Sequence, residues 1–200
     1  MKCPSQYKRL ASASASFIIA AILAGCGDPD PRTVRGALEK AANAVEARDA
    51  RALFRVIDQR ARQAMASIVI DRRHAAELIE RDYPVEERAS ALSGFGGAQR
   101  AVDAADLFVQ RCATECLANF AQTLGAPTSQ TPRGQGELEV RTAPGGVLRM
   151  HLGQDGWWAL VWNTEALSEE RTRAARDRLQ IEANAEVYRR RRALEQAEGR

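Results

Sequence analysis

The stretch ELEVRTAPGGVLRMHLGQDGWWALVW, residues 137–162, decides the fold of this 200-residue chain. Apolar and polar residues alternate in it over short runs, which is the pattern of β-strands that bury one face. Pro144-Gly145-Gly146 and Gln154-Asp155-Gly156 separate the runs and are turn sequences. The stretch therefore predicts an antiparallel β-meander of three or more strands.

The third run of this stretch, residues 157–162, is apolar on both faces. Such a run predicts a central strand, or a strand that other elements cover on both sides. The residues before the meander are the candidates for this cover, because they repeat apolar side chains at helical spacing.

Four helical stretches are expected before the meander. Thr33 and Asp49 are placed to cap the first two, and Tyr83-Pro84 ends the third. The fourth covers about residues 101–124, and a loop rich in Pro, Thr, Ser and Gly follows over residues 125–136.

Residues 165–200 have the composition of a helix with dense mixed charge. The apolar stripe expected along this helix consists of Ala175, Leu179, Ala183, Val187 and Leu194. Near its end, residues 189–192 are four consecutive arginines. Two interpretations of this basic run stay open, contact with an anionic lipid surface and a solvated helix end.

Together these patterns predict an α+β fold. N-terminal helices pack on a C-terminal antiparallel β-meander of three or more strands, and a long C-terminal helix follows.

The N-terminus has the charged start, the apolar run and the small residues of a secretory signal. Its apolar run, residues 17–24, is shorter than the roughly 20 residues that cross a bilayer. Leu23, Ala24, Gly25 and Cys26 resemble the bacterial lipobox, which implies signal-peptidase recognition at the first three and a diacylglyceryl group on the Cys26 sulfur. The alternative is an ordinary secretory signal that ends in cysteine.

The lipobox resemblance divides the chain into a signal peptide (1–25), a lipidated tether (26–32), a globular domain (33–164) and a charged amphipathic helix (165–200). Two or three acyl chains on one residue make a stable membrane anchor. We therefore expect a lipid-anchored protein of the cell envelope. Because Gly27 and not an aspartate follows Cys26, the outer membrane facing the periplasm is the expected location. The inner membrane and the cell surface are the alternatives.

Cys112 and Cys116 would remain in an oxidising compartment, as a disulfide or as two buried thiols. An intact helix separates such residues by a Cα distance near the upper limit for a disulfide, so bridging needs a distorted turn. His74 and His151 stand alone in the sequence, so neither a metal site nor a cofactor is expected.

The charge balance bears on the class of partner. The chain carries 29 Lys+Arg and 26 Asp+Glu, and the three charges of the signal are all positive. The mature chain is therefore balanced and lacks the field of one sign that concentrates nucleic acid, so no nucleic-acid partner is expected.

The segments ARDARALF (47–54) and DGWWALV (155–161), with helices preceding a meander, make residues 33–164 similar to the nuclear-transport-factor-two-like, or cystatin-like, exported lipoproteins. This resemblance implies helices folded over a curved sheet with a pocket on the concave side. Some members are enzymes and many exported ones are binding modules. Proton transfer in such enzymes nominates His151 with Glu139 or Asp103.

The sequence contains no nucleophile elbow, phosphate-binding glycine loop or zinc-helix motif, so no catalytic residue is assigned. The main hypothesis is a non-enzymatic binding or structural module for an envelope protein, a glycan or a small apolar ligand. Trp158, Leu160 and Trp162 are its expected contacts, unless these side chains form core. The alternatives are an enzyme that uses His151 and an adaptor that acts through residues 165–200.

Replacing Cys26 by Ser tests the anchor. The full chain made in a bacterial host is expected in the membrane fraction, with a mass increase of an acylated N-terminal cysteine, and Cys26→Ser is expected to lose both. Cys3→Ser is the matched control, because this residue leaves with the signal. An unmodified, full-length N-terminus in the wild-type chain would contradict the prediction.

Overall fold

The computed structural model describes residues 28–112 and 115–199, so the expected lipobox residues Leu23, Ala24, Gly25 and Cys26 lie outside the described residues. The architecture is α+β, as the sequence predicted, with helices, then a four-stranded antiparallel sheet, then a long helix. In chain order the elements are α1 (Val34–Glu46), α2 (Ala50–Arg55), α3 (Gln59–Asp82), α4 (Val85–Ser93), a 3₁₀ turn (Ala98–Arg100), α5 (Ala104–Arg111), α6 (Glu115–Thr123), β1 (Pro127–Gly134), β2 (Glu137–Thr142), β3 (Val147–Leu152), β4 (Trp158–Leu160) and α7 (Thr164–Glu198).

The sheet is a meander with the strand order β1-β2-β3-β4. Strands β2 and β3 occupy the first two alternating runs, and Leu138, Met150 and Leu160 lie opposite one another across β2, β3 and β4. Strand β1 lies where a loop was expected. Nearly all its residues are exposed, so the strand has no buried face and its sequence has no alternation to reveal it.

Strand β4 is the last strand of the order, so the expectation of a central strand is wrong. Its outer edge is covered by main chain from the helical region. The Asp58 amide donates to the Leu160 carbonyl at 2.8 Å, and the Leu160 amide donates to the Val56 carbonyl at 2.8 Å. The Trp158 amide donates to the Pro31 carbonyl, also at 2.8 Å. Its faces are covered in part, since Trp158 and Ala159 are half-buried and Leu160 is buried.

The described part of the expected tether, residues 28–32, packs on the domain. Lys40 of α1 forms an ion pair of 2.9 Å with Asp28, and Pro31 pairs with β4. Gly36 allows this packing, because a Cβ at that position would collide with the carbonyl oxygen of Asp30. Residues 28–32 are therefore held against the domain by one ion pair and one main-chain hydrogen bond.

The main core lies between the helices and the inner face of the sheet. Its largest side chains that are fully buried are Phe108, Leu38, Leu53, Ile57, Met65, Ile68, Leu107, Met150, Leu160 and Val140. The caps predicted for the first two helices are present, since Thr33 accepts from the Gly36 amide and Asp49 from the Ala52 amide.

Helix α7 packs along α3, so it belongs to the same folded unit as residues 33–164. The two helices are parallel, because the ion pairs Arg72 to Asp177 and Asp82 to Arg192 follow the same order along both. The buried residues of α7 recur mainly at intervals of seven. This is the spacing of contact residues when two helices pack along their length. These buried residues are Leu167, Ala174, Ile181 and Ala185.

The apolar stripe expected on this helix faces solvent. Leu179 is 56%, Val187 54% and Leu194 64% exposed. The sequence indicated the wrong face because both faces of α7 carry alanines and larger apolar residues, so the local pattern does not distinguish them.

The basic run at residues 189–192 contacts the end of α3. Arg189 and Arg192 lie 3.9 and 3.1 Å from the carboxylate of Asp82, which is 2% exposed. Arg190 pairs with Glu186 at 2.8 Å. Hydrogen bonds from Arg81 hold the pKa of Asp82 below its usual value against the effect of burial, and Arg189 and Arg192 act in the same direction.

Replacing Asp82 by Asn tests this contact. The folded-state pKa is lowered, so ionised Asp82 stabilises the fold above the unfolded value of about 3.9, and this contribution is lost as the pH falls through the folded pKa. Because the arginines are about half exposed, Asp82→Asn is expected to cost about 1–2 kcal/mol of unfolding free energy at pH 7. In urea unfolding, this difference should shrink below about pH 4.

Glu195→Gln on α7 is the control, because Glu195 is exposed and has no ion pair within the described residues. An equal loss of stability in both variants, or a difference that does not change with pH, would contradict a role for the Asp82 charge.

Candidate functional site

A cavity of about 440 Å³ lies against β4, between the C-terminal half of α1, α2, the start of α3 and the turn from β3 to β4. We call it the β4 cavity. Its apolar wall consists of Pro31, Ala44, Ala47, Ala52, Val56, Trp157, Trp158 and Ala159. Its polar wall consists of Asp28, Lys40, Asn43, Asp49, Arg55, Gln59, Arg62, His151, Asp155 and the backbone of Gly153.

The helical side of the β4 cavity depends on the link from α1 to α2. Arg48 takes a left-handed conformation with φ 53°, which reverses the chain after α1. Asp49 then caps α2 by accepting a hydrogen bond of 2.9 Å from the Ala52 amide. Helix α2 has only 6 residues, and it places Ala52 and Arg55 on the wall before the chain pairs with β4.

The tryptophan side depends on the turn between β3 and β4. Gly156 has φ 76°, which side chains disfavour, and Asp155 accepts a hydrogen bond of 3.0 Å from the Trp157 amide. This turn places Trp157 at the rim, 48% exposed, with Trp158 next to it and partly buried. Both tryptophans are among the residues that line the cavity, and Trp158 also packs against the main core.

The three expected ligand contacts have different positions. Trp158 lines the β4 cavity. Leu160 is 2% exposed and belongs to the core, and Trp162 packs edge-on against Phe108 with ring centroids 5.0 Å apart. Leu160 is therefore core, as the alternative expectation had it, and Trp162 lies away from the β4 cavity. The expectation missed Trp157, whose position directly after an Asp-Gly turn was the available signal.

His151 also lines the cavity, and it lies beside a buried carboxylate. Its Nδ1 is 3.4 Å from Oδ2 of Asp58, and the two side chains are 25% and 0% exposed. The carboxylates expected beside it are elsewhere, since Glu139 pairs with Arg133 and Asp103 caps α5. Asp58 comes close only because its main chain pairs with β4.

Asp58 has several partners besides His151. It caps α3 by accepting from the Arg60 amide at 2.6 Å, and it accepts from Nε and Nη2 of Arg60 at 3.0 and 2.8 Å. Arg60 also binds Glu137 at 2.8 Å. Together with His151 these residues form the Asp58 network, which joins the start of α3 to β2 and β3.

Asp58 and Arg60 each keep the other ionised. Burial acts to raise the pKa of Asp58, but the hydrogen bonds from Arg60 outweigh it and lower that pKa below its usual range. The same hydrogen bond with Asp58, aided by Glu137, raises the pKa of Arg60. Asp58 therefore stays anionic at neutral pH, and its charge is shared between Arg60 and the His151 ring.

Cys112 and Cys116 are joined in a disulfide with a Cα separation of 4.6 Å. The bridge lies between α5 and α6, so the single helix expected over residues 101–124 is interrupted at the cysteines. Cys116 lines a separate depression with Phe120 and Trp162, away from the β4 cavity.

The other histidine, His74, is half exposed on α3 and lies 3.3 Å from Glu182. Over residues 28–112 and 115–199, no cluster of three or more His, Cys, Asp or Glu side chains could hold a metal ion. None of the helices in the described part of the chain has both the length and the apolar character of a membrane span.

Comparison of the chain with protein-family models, with curated proteins and with solved structures finds no match in any of the three. The geometry of the site is therefore the basis for the functional argument.

Replacing Asp58 by Ala tests the Asp58 network. The change removes the cap of α3 and the partner of Arg60, so we expect it to lower the unfolding free energy by about 2–3 kcal/mol. Asp49→Ala is the matched control, because it removes the cap of α2 alone and is expected to cost about 1 kcal/mol. Urea denaturation measures both, and equal losses would show that the buried charge contributes nothing beyond capping.

Proposed function

We propose that this chain is a lipid-anchored protein of the cell envelope that binds a small apolar ligand in the β4 cavity without transforming it. The observation that carries the proposal is the cavity of about 440 Å³ with Trp157 and Trp158 on its wall. Small-molecule sites have volumes of roughly 300–1,000 Å³ and are lined mainly by apolar and aromatic side chains with a few polar groups. The β4 cavity falls within this range of volumes, and two aromatic residues stand on its wall beside a larger set of polar groups than most such sites have.

The Asp58 carboxylate is committed to the fold and does not itself serve as a proton acceptor. The Asp58 carboxylate, the nearest anionic group to His151, has a lowered pKa and is held by Arg60. Such a carboxylate is a poor proton acceptor. Within the described residues, the Asp58 network is placed to join α3 to the sheet.

One observation favours a second candidate function, proton transfer at His151. The ring faces the cavity and a buried carboxylate lies 3.4 Å from its Nδ1, which can orient the ring so that its other nitrogen meets a bound molecule. His151→Gln separates the two functions. If the protein only binds its ligand, the variant retains its ligand affinity and loses no turnover. If His151 transfers a proton, the variant loses a turnover that the wild type shows.

The anchor at Cys26 and the location at the outer membrane facing the periplasm are part of the proposal. The lipobox residues support the anchor, and Gly27 after Cys26 supports the location. The likeness to nuclear-transport-factor-two-like lipoproteins stays a prediction.

Tryptophan quenching tests ligand binding. The chain has three tryptophans, and two of them line the β4 cavity. The mature full chain, reconstituted in phosphatidylcholine vesicles, is titrated with 6-bromohexanol, whose bromine quenches indole fluorescence on contact. We expect saturable quenching in the wild type.

Ala47→Phe should abolish the saturable phase, because Ala47 is exposed at the end of α1 and a phenyl ring there fills the cavity. Ala118→Phe, on the exposed side of α6, is the control and should behave as the wild type. Linear quenching that is the same in all three chains would reflect partition into the vesicles and would contradict the proposal.

A further inference from the structure

The acidic and basic residues on the wall of the β4 cavity are equal in number, but they differ in how many bonds they form within the protein. All three of its carboxylates already have partners. Asp28 pairs with Lys40 at 2.9 Å, Asp49 accepts from the Ala52 amide at 2.9 Å, and Asp155 accepts from the Trp157 amide at 3.0 Å. The acidic groups of the wall are thus committed to the fold.

The two arginines of the wall differ from these carboxylates. Within residues 28–112 and 115–199, neither Arg55 nor Arg62 forms an ion pair, and the Nε of Arg62 is buried without a hydrogen-bond acceptor. A buried donor without an acceptor is unfavourable, and few such groups occur in native structures. As a residue of the cavity wall without an ion pair within the described residues, Arg62 has guanidinium donors to offer to a ligand.

The two arginines stand on either side of the junction between α2 and α3. Arg55 is the last residue of α2, and Arg62 lies near the start of α3, three residues after Gln59. Guanidinium groups bind phosphate through parallel N–H donors, which suits this junction to a phosphate group.

An uncharged, partly aromatic surface lies on the same wall as the two arginines. Trp157, Trp158 and Ala159 come from the sheet side and offer no charge. A ligand that satisfies both parts of the wall has an anionic head and an apolar chain.

The position of the β4 cavity on the domain indicates where such a ligand would come from. Asp28 and Pro31 belong to its wall and are tied to α1 and β4. Cys26 precedes Asp28 by two residues, so at most about 7 Å of chain separates their Cα atoms. If acyl chains are attached to Cys26, the mouth of the cavity lies close to the bilayer surface.

We propose that the ligand of the β4 cavity is an anionic amphiphile of the membrane, with a phosphate head on Arg55 and Arg62 and an apolar chain against Trp157 and Trp158. This inference rests on the proposed function and adds the class and the source of the ligand.

Three probes test the inference on the mature full chain in phosphatidylcholine vesicles. They are 6-bromohexyl phosphate, its uncharged counterpart 6-bromohexanol, and inorganic phosphate as a competitor. We expect the bromohexyl phosphate to quench tryptophan fluorescence with at least tenfold higher affinity than the alcohol, as one charge-assisted hydrogen bond predicts. Millimolar inorganic phosphate should compete weakly, because it lacks the apolar chain.

Arg62→Gln and Arg55→Gln should each reduce the preference for the phosphate probe over the alcohol at least severalfold. Arg55 is exposed at the end of a helix, so its substitution keeps the test interpretable if Arg62→Gln perturbs folding. Arg171→Gln is the control, because Arg171 is exposed on α7 away from the cavity.

The outcomes separate the two proposals. Saturable binding of both probes with equal affinity would overturn the anionic ligand and leave the apolar binding function standing. Inorganic phosphate that binds as tightly as 6-bromohexyl phosphate, measured by its displacement of the probe, would show a site for free phosphate. This result would overturn the proposal of an amphiphile. Absence of saturable binding for both probes would overturn both proposals.

Discussion

The structure depends on the main-chain pairing between the α2–α3 junction and β4. Asp58 donates its amide to Leu160, and Leu160 donates its own amide to Val56. These bonds cover the exposed edge of a strand of 3 residues, which is otherwise a site for pairing with another chain. They also bring the Asp58 carboxylate, which caps α3, to the sheet, and they hold Val56 and Ala159 together at the wall of the β4 cavity. The cavity is thus a product of the same contact that closes the sheet.

Parts of the fold with a local sequence signal could be predicted. Strands β2 and β3 alternate because one face of each is buried, and Thr33 and Asp49 accept from amides three residues ahead, as capping requires. The Cys112 and Cys116 pair was recognised, and its need for a distorted turn agrees with the break between α5 and α6.

Features that depend on distant partners could not be predicted. Strand β1 is held by main-chain bonds to β2 and buries almost nothing, so its residues look like a loop. The partner of His151 is 93 positions away in sequence, at Asp58, and nothing local to either residue indicates the other. On α7 both faces carry apolar residues, and only the packing on α3 shows which face is inside.

The central claim is that the β4 cavity holds a small molecule in the cell. The most direct measurement replaces Trp157 by the photoreactive residue benzoylphenylalanine in the full chain, irradiates cells and determines the mass of the product. Val102, 73% exposed before α5, is the control position. The account predicts a mass increase of one small amphiphile at position 157 and none at position 102. No adduct at position 157, or adducts to proteins alone, would contradict it.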